Sequence, residues 1–486
     1  MINTKGILNK SLIAVAVFFI LMFAYVSLSR IGYPFELEWM EGGSVDHLER
    51  VMEGKEIYTP PSIEFIPYIY TPLYYYAAVP IASVTGISLL PLRIVSLLST
   101  FALFGVIFLY VKKETNSSYY GILAAGLFAA VFRVGGAWFD LARVDMLHIL
   151  LLLLAIYILR FHKSSGYYLL AAVIAGLSFL TKQTAAIIFA PVGIYLLLKE
   201  RRISWWFNIT FALIVIITTA YYTISTDGWY YFWNFTLPAA HHWNKKYLIL
   251  FWTFDLIKPL AISILFSIVF LVSVRKKNKT NFLFYISLIT GIVISSWLSR
   301  LHYGGYTNVL LPVYLIITLF GIIGFKHLSS FFTESKEKKY LLLFASLAIL
   351  FQFITLNYSP RNQIPTAEDE KAGWALVSKI KSFKGDVYLY SNTYPARLAG
   401  KKVYTHSLLI RDLIESNTKY TKQMKTEFYG ALKNHKFDAV IDYAQIDFSP
   451  LRKYYRGKEP VFAHQKIFLM RTGYTTRPEY ILIPKK

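Results

Sequence analysis

The run "SLIAVAVFFILMFAYVSLS" (residues 11–29) determines the fold class. It contains no charged residue, and an apolar run of this length spans the hydrocarbon core of a bilayer as a helix. Hydrophobic residues make up 55% of the 486 residues and charged residues only 16%, against about 25% in soluble proteins. The sequence therefore predicts a polytopic α-helical membrane protein with about eleven transmembrane helices. Apolar segments lie near 11–29, 88–111, 118–138, 144–161, 166–181, 183–199, 205–224, 251–274, 281–298, 306–325 and 339–357.

Loop charge predicts the orientation of the chain. Every second loop is short and rich in Lys and Arg, and the N-terminus lies on the same side of the membrane as these loops. An odd number of spans then places the C-terminal segment on the opposite, outer side. We expect a multi-pass protein of the cell (plasma) membrane with a cytoplasmic N-terminus. The net charge of +23 then reflects topology and contact with anionic membrane lipids, and no nucleic acid partner is expected. Lys and Arg dominate that set of loops, as they do in cytoplasmic loops: "KK" (112–113), "RFHK" (160–163), "KERR" (199–202), "RKKNK" (275–279) and residues 334–339.

Composition divides the chain near residue 358. Residues 1–357 form the predicted membrane domain, which includes a long outer loop at 30–87, and residues 358–486 form a predicted small extracytoplasmic α/β domain. In this second domain "AGWALVSKIKSF" is typical of a helix, and "DVYLYS", "FDAVIDY", "IFLMR" and "YILI" are typical of strands. The chain has no cysteine, which excludes disulfides and thiolate metal sites.

The outer loop opens with "FELEWMEGG" (residues 35–43), which places three glutamates just after the first span. An apolar stripe over residues 45–52 predicts a short helix lying along the membrane surface. Glu38 and Glu41 are thereby held near the bilayer plane. They are either solvated loop carboxylates or reacting groups.

Other outer loops contain further ionisable and aromatic residues. "WFDLARVD" (138–145) places Asp140, Arg143 and Asp145 at the mouth of a span, where charged groups tend to face protein or a wet cavity; stabilisation by the helix dipole is the alternative. An aromatic belt is the alternative for Tyr70 and its neighbours, and a charged turn residue is the alternative for Lys182. The remaining candidates for substrate binding are Tyr70 in "PYIYTPLYYYAAVP", Lys182 and Gln183 in "LTKQT", His242 in "PAAHHWNKK", and Arg300, His302, Tyr306 and Asn308 in "SRLHYGGYTNVLLP".

Acids, cations and aromatic rings on one membrane face fit the transfer of a sugar from a polyprenyl phosphate carrier. The lipid tail keeps the reacting carbon at headgroup height, and a carboxylate takes the acceptor's proton. Cations, or a divalent metal held by carboxylates, stabilise the leaving phosphate. The sequence has no Gly-rich phosphate loop of the usual kinds, so no nucleotide cofactor is expected.

The chain resembles the GT-C superfamily of membrane glycosyltransferases over about its first 325 residues, and within it the branch of protein O-mannosyltransferases and lipid A aminoarabinose transferases. The resemblance implies a polyprenyl- or dolichyl-phosphate sugar donor and inversion at the anomeric carbon. It also implies that Glu41 or Glu38 is the base or a metal ligand, with Asp145 or Asp140 as its partner; Glu41 is favoured, and Glu41 and Asp145 are the metal-ligand candidates. Met40-Glu41 stands where the family commonly has Asp-Glu. The matching motifs are "EWMEGG", "GKEIY", "YTPLYYY", "DLARVD", "AGLSFLTKQTAAIIFAP" and "GGYTNVLLP".

Two other functions stay open at this point. A transporter or flippase of lipid-linked sugars would also use aromatic and charged residues near lipid, but transporters bury ionisable residues at the midplane, and here the charges collect at one face. A polysaccharide polymerase or ligase would share the donor and differ in its acceptor. The acceptor itself, whether protein, lipid or glycan, is not defined by the sequence.

Overall fold

Helices dominate the chain up to Thr355. The computed structural model describes residues 4–333, 339–443, 449–462 and 467–485. All eleven apolar segments are helical over most of their length. The helices are α1 Thr4–Arg30, α2 Glu41–Met52, α3 Leu73–Thr85, α4 Leu89–Thr115, α5 Ser118–Ala130, α6 Asp145–Phe161, α7 Ser165–Thr181, α8 Ala185–Lys199 and α9 Arg201–Ser225, followed by helices Lys258–Lys277, Lys279–Leu301, Leu311–Thr333 and Lys339–Thr355.

Several of these helices have the dimensions of membrane spans. Among the described residues, six helices are long and apolar enough to cross a membrane, or seven if the bent pair Tyr340–Thr355 and Pro360–Ser382 is one span. Helices α5, α7 and α8 are apolar but shorter, with 13, 17 and 15 residues. The helical multi-pass architecture agrees with the sequence, while the number eleven stays a prediction.

The predicted span 118–138 is too long. Helix α5 ends at Ala130, and residues 131–144 form a loop. The glycine pair at 135–136 in this stretch is unfavourable for continuing a helix. Aromatic packing holds the loop against α1. The Phe23 ring of α1 lies edge to face on Phe132 and Phe139, with centroid distances of 5.3 and 5.8 Å. "DLARVD" is therefore a rigid loop with only its last residue in a helix.

Two helical segments with π-helical turns connect α9 to the helix Lys258–Lys277. The π turns are Phe232–Thr236 and Phe251–Ile257. The loop between them bonds to the loop at 302–303, since Asn244 N–H donates to Leu301 O over 2.7 Å and Tyr303 N–H donates to His242 O over 3.0 Å.

The C-terminal region is an α/β unit with four strands, β1 Val387–Leu389, β2 Ala439–Tyr443, β3 Tyr455–Pro460 and β4 Pro478–Pro484. They form one sheet in the order β1-β2-β4-β3. Strands β1 and β2 are parallel, and β4 pairs antiparallel with both β2 and β3. The predicted strand "IFLMR" (467–471) is wrong, because those residues form irregular backbone. The sequence missed β3, "YRGKEP", because a mostly exposed strand rich in charge, Gly and Pro has no strand pattern. The longer helices of the unit are Ala367–Ser382, Ser407–Glu415 and Thr421–Lys433.

The C-terminal unit packs on the outer loop rather than standing apart from it. The Phe35 ring lies 5.3 Å from Trp374 and 5.2 Å from Phe468, edge to face. Residues of the outer loop and of the sheet share one apolar core. Helix α2 forms as predicted, and two of its acids, Asp46 and Glu49, pair with Arg397 of the C-terminal unit. "FELEWMEGG" is therefore covered by the C-terminal unit.

Candidate functional site

Glu41 is held in a buried ion pair. Its Oε1 accepts from Arg93 Nε at 3.0 Å and from the Ala142 N–H at 2.8 Å; its Oε2 accepts from Arg93 Nη2 at 2.7 Å and from the Leu37 N–H at 2.6 Å. Both side chains are fully buried. Burial opposes ionisation, but the Arg93 charge and these donors outweigh it, so the pKa of Glu41 is lowered. This geometry makes Glu41 the joint between α4 and the two acidic loops.

Glu38 has a different environment, although it is equally buried at 1% exposure. Its Oε2 accepts a long hydrogen bond from Met40 N–H at 3.3 Å and lies 3.5 Å from Arg143 Nη1. Burial raises the pKa of Glu38 to about 7, the Arg143 charge lowers it, and the nearby Glu41 charge raises it. Glu38 is thus a carboxyl that titrates near neutral pH, as a general base requires.

Arg143 lies among aromatic rings beside Glu38. Its Nη2 donates to Tyr70 Oη at 3.3 Å. The guanidinium carbon lies 5.5 Å from the Tyr68 ring, 5.7 Å from the Tyr70 ring and 5.4 Å from the Trp138 ring. These faces attract a cation, so Arg143 is fixed at the meeting point of the outer loop and the 131–144 loop.

Asp145 organises the other half of the site from the first turn of α6. Its Oδ1 accepts from Lys182 Nζ at 2.7 Å and from Asn308 Nδ2 at 3.1 Å, and its Oδ2 accepts from Trp138 Nε1 at 2.8 Å. Lys182 Nζ lies 5.6 Å from the Tyr70 ring. Two cations, Lys182 and Arg143, therefore approach the same tyrosine.

A small cavity lies against Asp145. Tyr306 stands beside this half of the site, since its ring is 5.4 Å from that of Trp138. His148, one helical turn beyond Asp145, is buried and its Nε2 has no hydrogen-bond partner among the described residues. The cavity lining is polar: Asp145, His148, Lys182, Thr184, Ser295, Ser299 and Asn308 are among its residues.

Several predicted site residues are engaged elsewhere. Asp140 forms a buried pair with Arg30, with Arg30 Nε 2.7 Å from Oδ2. Gln183 Nε2 donates to the carbonyls of Ile69 and Asn234 over 2.9 and 3.0 Å. Both side chains join segments of the chain, and their predicted contact with substrate stays a prediction.

Arg300, His302 and the backbone of His242 have partners in other segments of the chain. Arg300 Nε donates to Asp255 Oδ2 over 2.8 Å. His302 forms a β-bridge with Trp243. Sequence reasoning missed Asp255, and it missed the two arginines that neutralise the acidic loops, Arg30 and Arg93. The signal was present, since each is an ionisable residue in or at the end of an apolar run.

Of the two predicted metal ligands, Glu41 has no lone pair free for a divalent cation in this arrangement, while Asp145 keeps one on Oδ2. The Glu41 oxygens accept two hydrogen bonds each, and the Asp145 oxygens accept from Lys182, Asn308 and Trp138. A cation such as Mg²⁺ needs free carboxylate lone pairs. Within the described residues, no group of three or more His, Asp or Glu side chains is placed to hold a metal.

Comparisons with known proteins agree on the fold. Residues 70–224 match the family model described as dolichyl-phosphate-mannose-protein mannosyltransferase. No curated protein sequence matches the chain. A crystal structure of ArnT from Cupriavidus metallidurans bound to undecaprenyl phosphate is similar at TM-score 0.57 and 11% identity, covering 88% of this chain and 92% of that one.

A second group of similar structures comes from Archaeoglobus fulgidus. Its oligosaccharyltransferase, tethered to an acceptor peptide, has a TM-score of 0.56 and 10% identity and covers 92% of this chain and 72% of that one. Another structure of that enzyme is a complex with Zn and sulfate, at TM-score 0.51 and 10% identity, covering 91% and 71%. The predicted resemblance to GT-C membrane glycosyltransferases is confirmed.

Proposed function

We propose that the protein is a glycosyltransferase that moves a sugar from a polyprenyl-phosphate donor to an acceptor on the outer face of the membrane. One observation carries the proposal. Glu38, a carboxyl with a pKa of about 7, stands beside Arg143 at the mouth of a membrane helix bundle, and a second cation, Lys182, approaches the same tyrosine ring as Arg143, that of Tyr70. A base next to an anion-binding pair is what this transfer needs.

Glu38 is the proposed base. The acceptor's oxygen attacks the anomeric carbon from the face opposite the phosphate and forms the new C–O bond. The bond between that carbon and the phosphate oxygen breaks, and its electron pair leaves with polyprenyl phosphate. The acceptor's proton passes to Glu38, and the anomeric centre inverts.

Arg143 and Lys182 are the proposed phosphate contacts. Negative charge grows on the phosphate as the bond breaks, and fixed cations in a water-poor site stabilise that charge. Asp145 accepts from Lys182 and is itself held by Asn308, while the Tyr70 ring lies 5.7 Å from the Arg143 guanidinium carbon and 5.6 Å from Lys182 Nζ. The ArnT structure similar in fold binds undecaprenyl phosphate, and a lipid phosphate of this kind is the group we assign to these cations.

Glu41 and Asp145 are assigned structural roles in this proposal, in place of metal ligation. Each neutralises a cation, Arg93 or Lys182, and spans two segments of the chain. The proposed chemistry uses the side chains of the site for charge stabilisation, and no step of it is assigned to a metal.

The proposal is tested by following donor and product together. Purified protein in liposomes is given undecaprenyl- and dolichyl-phosphate sugars, radiolabelled in the sugar, with protein, lipid and glycan acceptors. Transfer to any acceptor with release of the lipid phosphate supports a glycosyltransferase, and the acceptor class identifies a polymerase or ligase. Movement of intact lipid-linked sugar between leaflets without release would make the protein a transporter.

Lys182→Gln is expected to weaken binding of the lipid phosphate roughly 10- to 150-fold, because hydrogen bonds to charged groups contribute about 1.5–3 kcal/mol and 1.4 kcal/mol is tenfold. Glutamine still donates to Asp145 but has no charge. Binding of undecaprenyl phosphate is measured by titration in detergent. The control is Lys163→Gln, another lysine paired with a carboxylate, Glu200, beyond the other end of α6. Equal affinity in the two variants would contradict the assignment.

A further inference from the structure

Four residues of the C-terminal unit, 471–474, lie between the two loops of the proposed active site. The N–H groups of Arg471 and Thr472 donate to the Leu37 carbonyl over 3.0 and 3.2 Å. Thr472 forms a parallel β-bridge with Glu38, and its hydroxyl donates to the Gly136 carbonyl. The segment thus ties the backbone that carries Glu38 to the loop that carries Arg143.

Gly473 lies directly against the Glu38 side chain. A Cβ at this position would lie 2.8 Å from Glu38 Cγ and 3.0 Å from Oε1, and the backbone has φ +74°. Real Cβ atoms essentially never make a contact as short as the first. A side chain at residue 473 would therefore displace Glu38 from its place beside Arg143.

Aromatic packing holds the segment against Trp39, the residue that follows Glu38. The Tyr474 ring lies 5.2 Å from the Trp39 ring, and Trp39 lies edge to face on His406 at 4.9 Å. Trp39 comes from the outer loop, and His406 and Tyr474 come from the C-terminal unit. The contact is therefore a joint between the two parts of the chain, formed at the residue next to Glu38.

We propose that Thr472 and Gly473 are positioning residues for Glu38, so that the C-terminal unit forms one wall of the active site. Thr472 sets the distance between the loops of Glu38 and Arg143, and Gly473 leaves the space that the Glu38 side chain fills. This inference rests on the proposed function, in which Glu38 is the base.

The test compares two glycines of the same unit. Gly473→Ala is expected to lower kcat on the order of 100-fold, since a misplacement of about 1 Å has an effect of that size, with little change in KM for the donor. Gly400→Ala is the matched control, because Gly400 also has a positive φ, +67°, but no atom within 4 Å of the position of its Cβ. Both substitutions bring the same backbone strain, and only the first reaches Glu38.

A double-mutant cycle separates displacement of Glu38 from general damage. Glu38→Asp shortens the side chain by one methylene and opens space opposite residue 473. In that background Gly473→Ala is expected to have a much smaller effect on kcat, because contacting residues are not additive. The pH at which kcat/KM reaches half its maximum should also move in Gly473→Ala and stay in place in Gly400→Ala.

The outcomes separate this inference from the proposed function. If the wild type consumes no lipid-linked donor, the function itself fails. If the wild type is active and Glu38→Gln is not, but Gly473→Ala equals Gly400→Ala or its effect is additive with Glu38→Asp, only the positioning role is overturned. If Gly473→Ala does not accumulate as folded protein, Thr472→Val, which removes the bond to Gly136 at constant shape, is measured instead; a wild-type kcat and pH profile there overturns the inference.

Discussion

Glu38→Gln is expected to lower the rate of sugar transfer by about 10²–10⁴-fold, the usual contribution of a general base, and to leave the protein folded. Glutamine has the shape of glutamate but cannot take the acceptor's proton. The measurement is the release of lipid phosphate from a radiolabelled donor per amount of folded protein. Folding is checked by thermal unfolding in the same detergent.

Glu36→Gln is the matched control for Glu38→Gln. Glu36 lies in the same loop, is also buried, and accepts from the Gly42 N–H at 3.1 Å. Burial and the Glu41 charge raise the pKa of Glu36 well above its ordinary value, and glutamine keeps the shape of the side chain in the same buried loop. Equal loss of activity in the two variants would show damage to the loop instead of loss of a base.

The pH dependence provides a second reading of the same residue. The base must be ionised, and burial raises the pKa of Glu38 to about 7. Wild-type kcat/KM is therefore expected to rise with pH, to reach half its maximum near pH 7, and to level off above it. The residual kcat/KM of Glu38→Gln should not increase with pH. If it does, the pH dependence comes from another ionisable group.

Glu41→Gln is expected to have the largest effect on stability, about 3–5 kcal/mol, the usual consequence of removing one partner of a buried ion pair. The substitution leaves the Arg93 charge unpaired in the protein interior. It also replaces one of the two carboxylate oxygens, each of which accepts two hydrogen bonds, by an amide N–H₂. The measurement is the shift in Tm and in the yield of folded protein in detergent.

Two variants define what the Glu41 result means. Glu64→Gln removes one partner of an exposed pair with Lys402, each side chain 47% exposed, and is expected to change stability by about 0–1 kcal/mol. The double variant Glu41→Leu with Arg93→Met removes both buried charges and should be more stable than Glu41→Gln. If Glu41→Gln has the same Tm as Glu64→Gln and loses only activity, Glu41 is the base.

The resemblance and the geometry rank the two glutamates differently. Glu41 was favoured as the base from the sequence because it stands at the family's acidic position. The structure gives it four donors and a buried arginine partner, Arg93, that lies 52 residues later. No local pattern predicts which arginine pairs with which glutamate, because that pairing depends on how α4 packs on the outer loop.

In the C-terminal unit, too, local sequence pattern predicts the helices and strands but not the contacts between distant segments. Its helix Ala367–Ser382 and strands β1, β2 and β4 follow from period and composition. The contact of this unit with the proposed site cannot be predicted in this way, because Thr472 and Gly473 lie in a short irregular stretch without hydrophobic periodicity. Close approach of backbone to Glu38 is the reason for glycine at 473, and that approach is visible only in the folded chain.

The sequence by itself determined the helical membrane architecture, the position of most helices, the α/β character of the C-terminal unit and the carboxylates around which the proposed site is built. Those properties depend on apolar run length, periodicity and composition, which are local. Only the tertiary structure decided which cation each of these carboxylates pairs with: Glu38 with Arg143, Glu41 with Arg93, Asp140 with Arg30. The physical reason is that a buried carboxylate is defined by its counter-ion and its donors, and these come from segments far apart in the chain.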